Sequence, residues 1–160
     1  MSTSLSSTIH EAFVTVAGRG GLEVDPAELR ARARDRSLSP AEHDEVFAIA
    51  VYRYRAGPRQ VWAPVVLELL APAIMQRITR LLPPEGGVKD SEDLSHQYLL
   101  EVLRAAARLP LRRESNYLRL RVLRRADKGI GRWLEREASY QERRNELAED
   151  LTRADTEPWR

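Results

Sequence analysis

Several residue types are scarce in this 160-residue chain, and each scarcity excludes a class of chemistry. The absence of cysteine excludes disulfide bonds, thiol nucleophiles and thiolate metal sites. The three histidines, His10, His43 and His96, do not have the spacing of metal ligands. No run approaches the roughly 20 apolar residues of a membrane span, and the first eight residues lack the features of a secretory signal. We therefore expect a cytoplasmic protein with no metal, no cofactor and no membrane contact.

Catalytic motifs are equally scarce. The glycines of residues 18–21 are not followed by the lysine–serine pair of a phosphate-binding loop, so we interpret them as a flexible loop. The acidic residues that flank His43 point to different sides of a helix, and we interpret residues 42–45 as a solvated polar face. No serine lies in a nucleophile elbow, and no two carboxylates stand out as an acid–base pair. The sequence therefore predicts a protein that is not an enzyme.

Positive charge is concentrated in one part of the chain. Residues 104–136 contain 11 basic and 3 acidic residues, whereas the rest of the chain contains 15 basic and 21 acidic ones. A basic block of this density is what binding to a phosphate backbone requires. An acidic protein partner would satisfy it equally well.

The hydrophobic periodicity predicts an all-α protein, a compact bundle of five or six helices. Capping residues, prolines and glycines place these helices at about 27–36, 42–55, 61–81, 90–108, 117–137 and 140–153. We expect Pro72 to kink or split the third helix, and Gly129 and Gly131 to mark a bend in the fifth. Only residues 12–17 have a pattern that suits a strand, and it suits a short helix equally well.

The helix that opens at Asp90 carries a more specific pattern. Its first turns, Asp90-Ser-Glu-Asp-Leu-Ser-His-Gln97, have the composition of an ordinary acidic helix start. They also resemble the Asp-Ala-Glu-Asp-Leu-Val-Gln-Glu helix of region 2 in bacterial RNA polymerase sigma factors, especially the extracytoplasmic-function type. Asp90, Glu92, Asp93 and Leu94 are identities, and Gln97 stands where that family has glutamate.

The resemblance covers about residues 60–137. Residues 62–82 are similar to the preceding helix of that domain, and Tyr117-Leu118 stands about where the family has Trp-Leu before an arginine-rich helix. It implies three parts: an N-terminal extension of unknown role (1–59), a region-2-like helical domain (60–137), and a C-terminal polar helix and tail (138–160).

The resemblance also implies partners. In that family the acidic helix docks on the clamp helices of the largest polymerase subunit, which implies partner contacts for Asp90, Glu92, Asp93 and Gln97. The family's basic helix holds the melted promoter strand, which implies nucleic-acid contacts for Tyr117, Arg121, Arg124, Arg125, Lys128 and Arg132. Periodicity places Tyr117 and Trp133 on the apolar stripe of the basic helix, which favours core packing over base stacking for both.

Two departures from the family keep two functions open. The arginine–asparagine pair of the promoter helix has no clear counterpart in residues 118–128, and the 23 residues after Glu137 are too few for a second promoter-reading domain. The first function is a non-catalytic sigma-like protein that binds core RNA polymerase, promoter DNA or both. The alternative is a sigma-like helical module that serves as an interaction subunit or adaptor without DNA binding. Acidic residues that cover the arginines, from the N-terminal arm or from the last helix (Glu142, Glu146, Glu149, Asp150), would favour the alternative.

Overall fold

Five α-helices account for most of the described chain. The computed structural model describes residues 24–82, 88–111 and 117–156, apart from the side chains at 88–91 and 154–156. Within these ranges there is no strand, and the predicted all-α bundle is confirmed. The helices are α1 (Pro26–Ala33), α2 (Pro40–Ala56), α3 (Arg59–Leu81), α4 (Val88–Arg108) and α5 (Leu118–Thr156). The candidate strand at 12–17, the glycines of 18–21 and His10 lie outside the described residues.

The first two helices begin at the capping residues that the sequence predicts. The Asp25 carboxylate accepts a hydrogen bond of 2.9 Å from the Ala27 amide at the start of α1. At the start of α2, the Ser39 amide donates to the Glu42 carboxylate at 2.7 Å, and the Glu42 amide donates to the Ser39 hydroxyl at 3.3 Å. This reciprocal pair is a capping box, and its hydrogen bonds lower the pKa of the Glu42 carboxyl.

All five helices contribute to one apolar core. Each supplies at least one side chain with almost no exposed surface, for example Leu29, Phe47, Val65, Tyr98 and Val122. The two helices that precede residue 59, α1 and α2, are therefore packed into the same core as the rest. The main packing pairs are α4 with α5, α2 with α3, and α3 with α4.

Two polar contacts fasten the first helices to the others. The Arg55 guanidinium of α2 donates to the carbonyl oxygens of Ala106 and Leu109 at the end of α4. These carbonyls have no partner within their own helix, so Arg55 caps α4 from a distance. On the other side of the bundle, Arg30 and Arg34 of α1 both pair with the Glu68 carboxylate of α3, which lowers the pKa of Glu68.

The most apolar helix, α3, is unbroken. It continues through Pro64 and Pro72 as one helix of 23 residues, so the expected split at Pro72 does not occur. With a mean hydropathy of 1.4 in its most apolar window, α3 is long and apolar enough to cross a membrane by length and composition alone. Its apolar face, which includes Trp62, Val66 and Ile74, packs into the bundle core.

The last helix differs most from its prediction. We expected a break between residues 137 and 140, but α5 runs as one helix of 39 residues from Leu118 to Thr156. The prediction was wrong because residues 132–156 contain no proline or glycine, and the Ser139 hydroxyl bonds back to the Glu135 carbonyl at 3.0 Å without interrupting the helix. Residues 134–153, which we call the projecting segment, are exposed at every position.

Candidate nucleic-acid and partner interfaces

Four cationic side chains form a row on the outer side of α5. We call Arg121, Arg125, Lys128 and Arg132 the basic stripe. Their spacings of four, three and four residues keep them on one side of the helix, and the 1.5 Å rise per residue spreads them over about 16 Å. Arg125, Lys128 and Arg132 are exposed and Arg121 is half-buried. None of the four forms an ion pair with another described residue.

The opposite side of α5 fixes the direction of the basic stripe. Leu118, Val122, Ala126 and Ile130 lie in the core with at most 1% of their surface exposed. Because these apolar positions recur every four residues, the helix cannot rotate without exposing them. The cations are therefore held toward solvent by the packing behind them. Arg124 is also exposed, next to the stripe.

A buried carboxylate from α2 holds the start of the basic helix. Asp44 accepts hydrogen bonds from the backbone amides of Tyr117, at 2.8 Å, and Arg119, at 3.3 Å. The Arg119 Nε donates to the same carboxylate at 2.9 Å. Asp44 thus acts as the helix cap, although it lies 73 residues before Tyr117 in the chain. Our interpretation of residues 42–45 as a solvated polar face was wrong at Asp44, which is 8% exposed.

The prediction of core packing was wrong for Tyr117 and is confirmed for Trp133. The Tyr117 side chain is 66% exposed, because the residue precedes the first helical position with a left-handed φ of 68°. A residue outside the helix does not follow the helical periodicity that placed Tyr117 on the apolar stripe. Its ring is therefore free to contact a ligand next to the basic stripe. Trp133 is half-buried and packs against the core.

A partly exposed ionic contact links the middle of the basic helix to α3 and α4. The Asp127 carboxylate accepts a hydrogen bond of 2.6 Å from the Tyr98 hydroxyl of α4 and pairs with the Arg77 Nε of α3 at 3.2 Å. Burial, together with the negative charge of Asp127, raises the pKa of the Tyr98 phenol. Because Asp127 pairs with residues of α3 and α4, it does not neutralise the cations of the basic stripe.

The acidic start of α4 is also open to solvent. Glu92 and Asp93 are exposed, whereas Gln97 is half-buried and donates from its amide to Glu101 at 3.0 Å. The side chain of Asp90 lies outside the described residues. Of the four predicted partner residues, two are therefore available at the surface, and Gln97 is engaged within its own helix.

Glu101 shows how closely α4 approaches α5. Its carboxylate, which also accepts a bond of 2.7 Å from Arg104, lies directly over the backbone of Gly129. A Cβ atom at Gly129 would come within 2.1 Å of that carboxylate, whereas a Cβ at Gly131 would meet nothing within 4 Å. Gly129 therefore makes room for a neighbouring side chain, which accounts for one of the two glycines in the basic helix.

The acidic residues of the last helix do not cover the basic stripe. Glu142, Glu146, Glu149 and Asp150 lie farther along the same continuous helix as the stripe, so they cannot fold back onto it. Among the described residues, no group of three histidine or acidic side chains could hold a metal ion. No family model, curated protein or solved structure matches the chain.

Proposed function

We propose that this chain is a non-catalytic, sigma-like cytoplasmic protein that binds single-stranded nucleic acid through the basic stripe. The observation that carries the proposal is the row of four cations that pair with no acidic residue in the described part of the chain and are held toward solvent by the buried side of α5. Arginine and lysine at such spacing neutralise successive phosphates of a bound strand. The exposed Tyr117 ring adds a face on which an unpaired base can stack.

The resemblance to sigma region 2 supports the second half of the proposal, a polymerase contact. Glu92 and Asp93 lie at the positions where that family is identical to this chain, and both side chains are exposed at the start of α4. Two exposed carboxylates in the first turns of a helix suit a basic partner surface. We propose that they contact the clamp helices of the largest polymerase subunit.

Binding of a labelled single-stranded oligonucleotide, followed by fluorescence anisotropy over a range of salt concentrations, tests the nucleic-acid half. If the strand contacts all four cations, the logarithm of affinity falls against the logarithm of salt with a slope of about −3. Arg121→Glu with Arg125→Glu should weaken binding at least about tenfold and flatten that slope.

The matched control reverses two other exposed arginines, Arg36→Glu with Arg80→Glu, which changes the net charge equally. Its affinity should stay within about twofold of the parent, because non-specific attraction to the whole protein is a smaller effect than direct contact. Equal losses in both double variants would remove the basic stripe from the binding site. Tyr117→Ala should lose affinity without changing the salt slope, because stacking releases no counterions.

A tagged pull-down from the native host tests the polymerase half. Core polymerase subunits should co-purify with the parent chain, and Glu92→Lys with Asp93→Lys should abolish this while leaving oligonucleotide binding intact. Glu142→Lys with Glu149→Lys, an exposed pair on α5, is the control and should retain polymerase. Polymerase that still co-purifies with the α4 double variant contradicts the assignment of those two residues.

One observation favours the alternative function, an interaction module without nucleic acid. The projecting segment places Tyr140, Leu147 and Leu151 in solvent, and each is more than half exposed. Apolar residues displayed along one helix are typical of a docking face for a protein. Recovery of another stoichiometric partner, with no polymerase and no oligonucleotide binding, would establish this function instead.

A further inference from the structure

Beyond the bundle, the core-facing row of α5 continues with none of the described residues packed on it. Within the bundle, Leu123, Ala126, Ile130 and Trp133 follow spacings of three, four and three residues and face the core. The same alternation continues without a break through the projecting segment. It passes through five residues, which we call the seam: Glu137, Tyr140, Arg144, Leu147 and Leu151.

The seam has the seven-residue repeat of a two-stranded coiled coil. Tyr140 and Leu147 occupy one core position of the repeat, and Leu151 occupies the other. These three side chains are 56%, 63% and 69% exposed. Most helical stability in proteins comes from packing an apolar face. Within the part of the chain that the structure describes, no helix packs on the seam.

We propose that the partner is a second copy of this chain, packed antiparallel along the projecting segment. The seam carries one acidic and one basic residue, Glu137 and Arg144. A parallel, in-register pair would place each of them against its own like-charged copy, which is destabilising. It would also bring the two basic blocks of residues 104–136 side by side.

An antiparallel pair removes both conflicts. In the register that packs Tyr140 against Leu151 of the second copy, Leu147 packs against the aliphatic stem of Arg144 of that copy. The two bundles then lie at opposite ends of the paired helices. The projecting segment (134–153) is acidic, with six acidic and four basic residues. Residues 118–133, in contrast, hold six basic residues and one acidic residue. The antiparallel arrangement therefore keeps the like-charged blocks apart.

Sedimentation equilibrium of the full chain, from about 1 µM to about 1 mM, tests the association over a wide range of possible dissociation constants. The average mass should rise with concentration from 18.3 kDa toward twice that value. Leu147→Gln with Leu151→Gln should raise the dissociation constant at least about tenfold, because glutamine keeps the helix propensity but not the apolar contact.

The control variant is Met75→Gln with Leu100→Gln, which removes two apolar side chains of similar exposure from the bundle surface. It should change the dissociation constant less than about twofold. A monomer at every concentration overturns the proposal. So does a dimer that survives the Leu147 and Leu151 substitutions. Either result is independent of oligonucleotide binding, since the basic stripe and the seam lie on different parts of α5.

The absence of cysteine in the natural chain allows a direct test of orientation. Tyr140→Cys and Leu151→Cys each place one thiol in the seam. In the antiparallel register these two positions face each other, and identical positions lie about 16 Å apart along the axis. Oxidation should form a disulfide in a mixture of the two variants and in neither variant alone. Efficient linking of either variant to itself contradicts the antiparallel arrangement.

Discussion

The two halves of α5 carry the same apolar pattern in opposite environments. In the bundle half, residues 118–133, Ala126 and Ile130 have at most 1% of their surface exposed. In the projecting segment, Leu147 and Leu151 are 63% and 69% exposed. The periodicity of a helix thus identifies the face that favours burial, but the surrounding helices decide whether it is buried. The charges show the same contrast, since the bundle half is basic and the projecting segment acidic.

The largest effect is expected when the same substitution is made at a buried and at an exposed position of α5. Leu118→Ala removes a fully buried side chain and should lower the free energy of unfolding by about 2–5 kcal/mol, because it leaves a cavity. Leu147→Ala, in dilute protein where the proposed dimer is dissociated, should change it by less than about 0.5 kcal/mol. Urea unfolding followed by circular dichroism measures both. Similar losses at the two positions would show that the projecting segment is packed within a single chain.

A smaller effect is expected from the carboxylate that caps the basic helix. Asp44→Ala removes the acceptor for the amides of Tyr117 and Arg119 and leaves the Arg119 guanidinium without its acid. We expect a loss of about 2 kcal/mol in the free energy of unfolding.

Asp150→Ala, which removes an exposed carboxylate from the projecting segment of the same helix, is the matched control and should cost less than about 0.5 kcal/mol. The Asp44 substitution should also weaken oligonucleotide binding, because Tyr117 loses the contact that fixes its backbone. Unchanged stability and unchanged binding would mean that Asp44 does not hold the start of the helix.

The fold was more predictable from the sequence than the candidate site. The starts of α1 and α2 depend on residues within three positions of each other, such as the capping box of Ser39 and Glu42, and such local signals are legible in one sequence. The exposed basic stripe was predictable for the same reason. The polymerase and nucleic-acid assignments remain predictions.

The errors arose where contacts between distant residues decide the structure. Nothing in residues 42–45 indicates that Asp44 caps a helix that begins more than 70 residues later. Tyr117 was placed on the apolar stripe because the helix was expected to begin one residue earlier than it does. The break expected near residue 138 rested on a change of polarity, which ends burial but does not end a helix.

The smallest expected effects come from the two glycines near the point where α5 leaves the bundle. Gly131→Ala should raise the free energy of unfolding by about 0.5–1 kcal/mol, because alanine is the better helix former and the space around position 131 is empty. Gly129→Ala offers the same gain, but its methyl group must displace the Glu101 carboxylate, breaking its bonds to Gln97 and Arg104. We expect a net loss of about 1 kcal/mol at Gly129.

A double-mutant comparison identifies the cause of that difference. In a Glu101→Ala background the obstructing carboxylate is gone, so Gly129→Ala should become stabilising by an amount close to that of Gly131→Ala. Thermal unfolding of the parent chain, of the three single variants and of the double variant shows whether each substitution raises or lowers stability. If Gly129→Ala stabilises the chain even with Glu101 present, then α4 does not approach α5 as closely as this contact requires. If it destabilises the chain in both backgrounds, the glycine is needed for a reason other than Glu101.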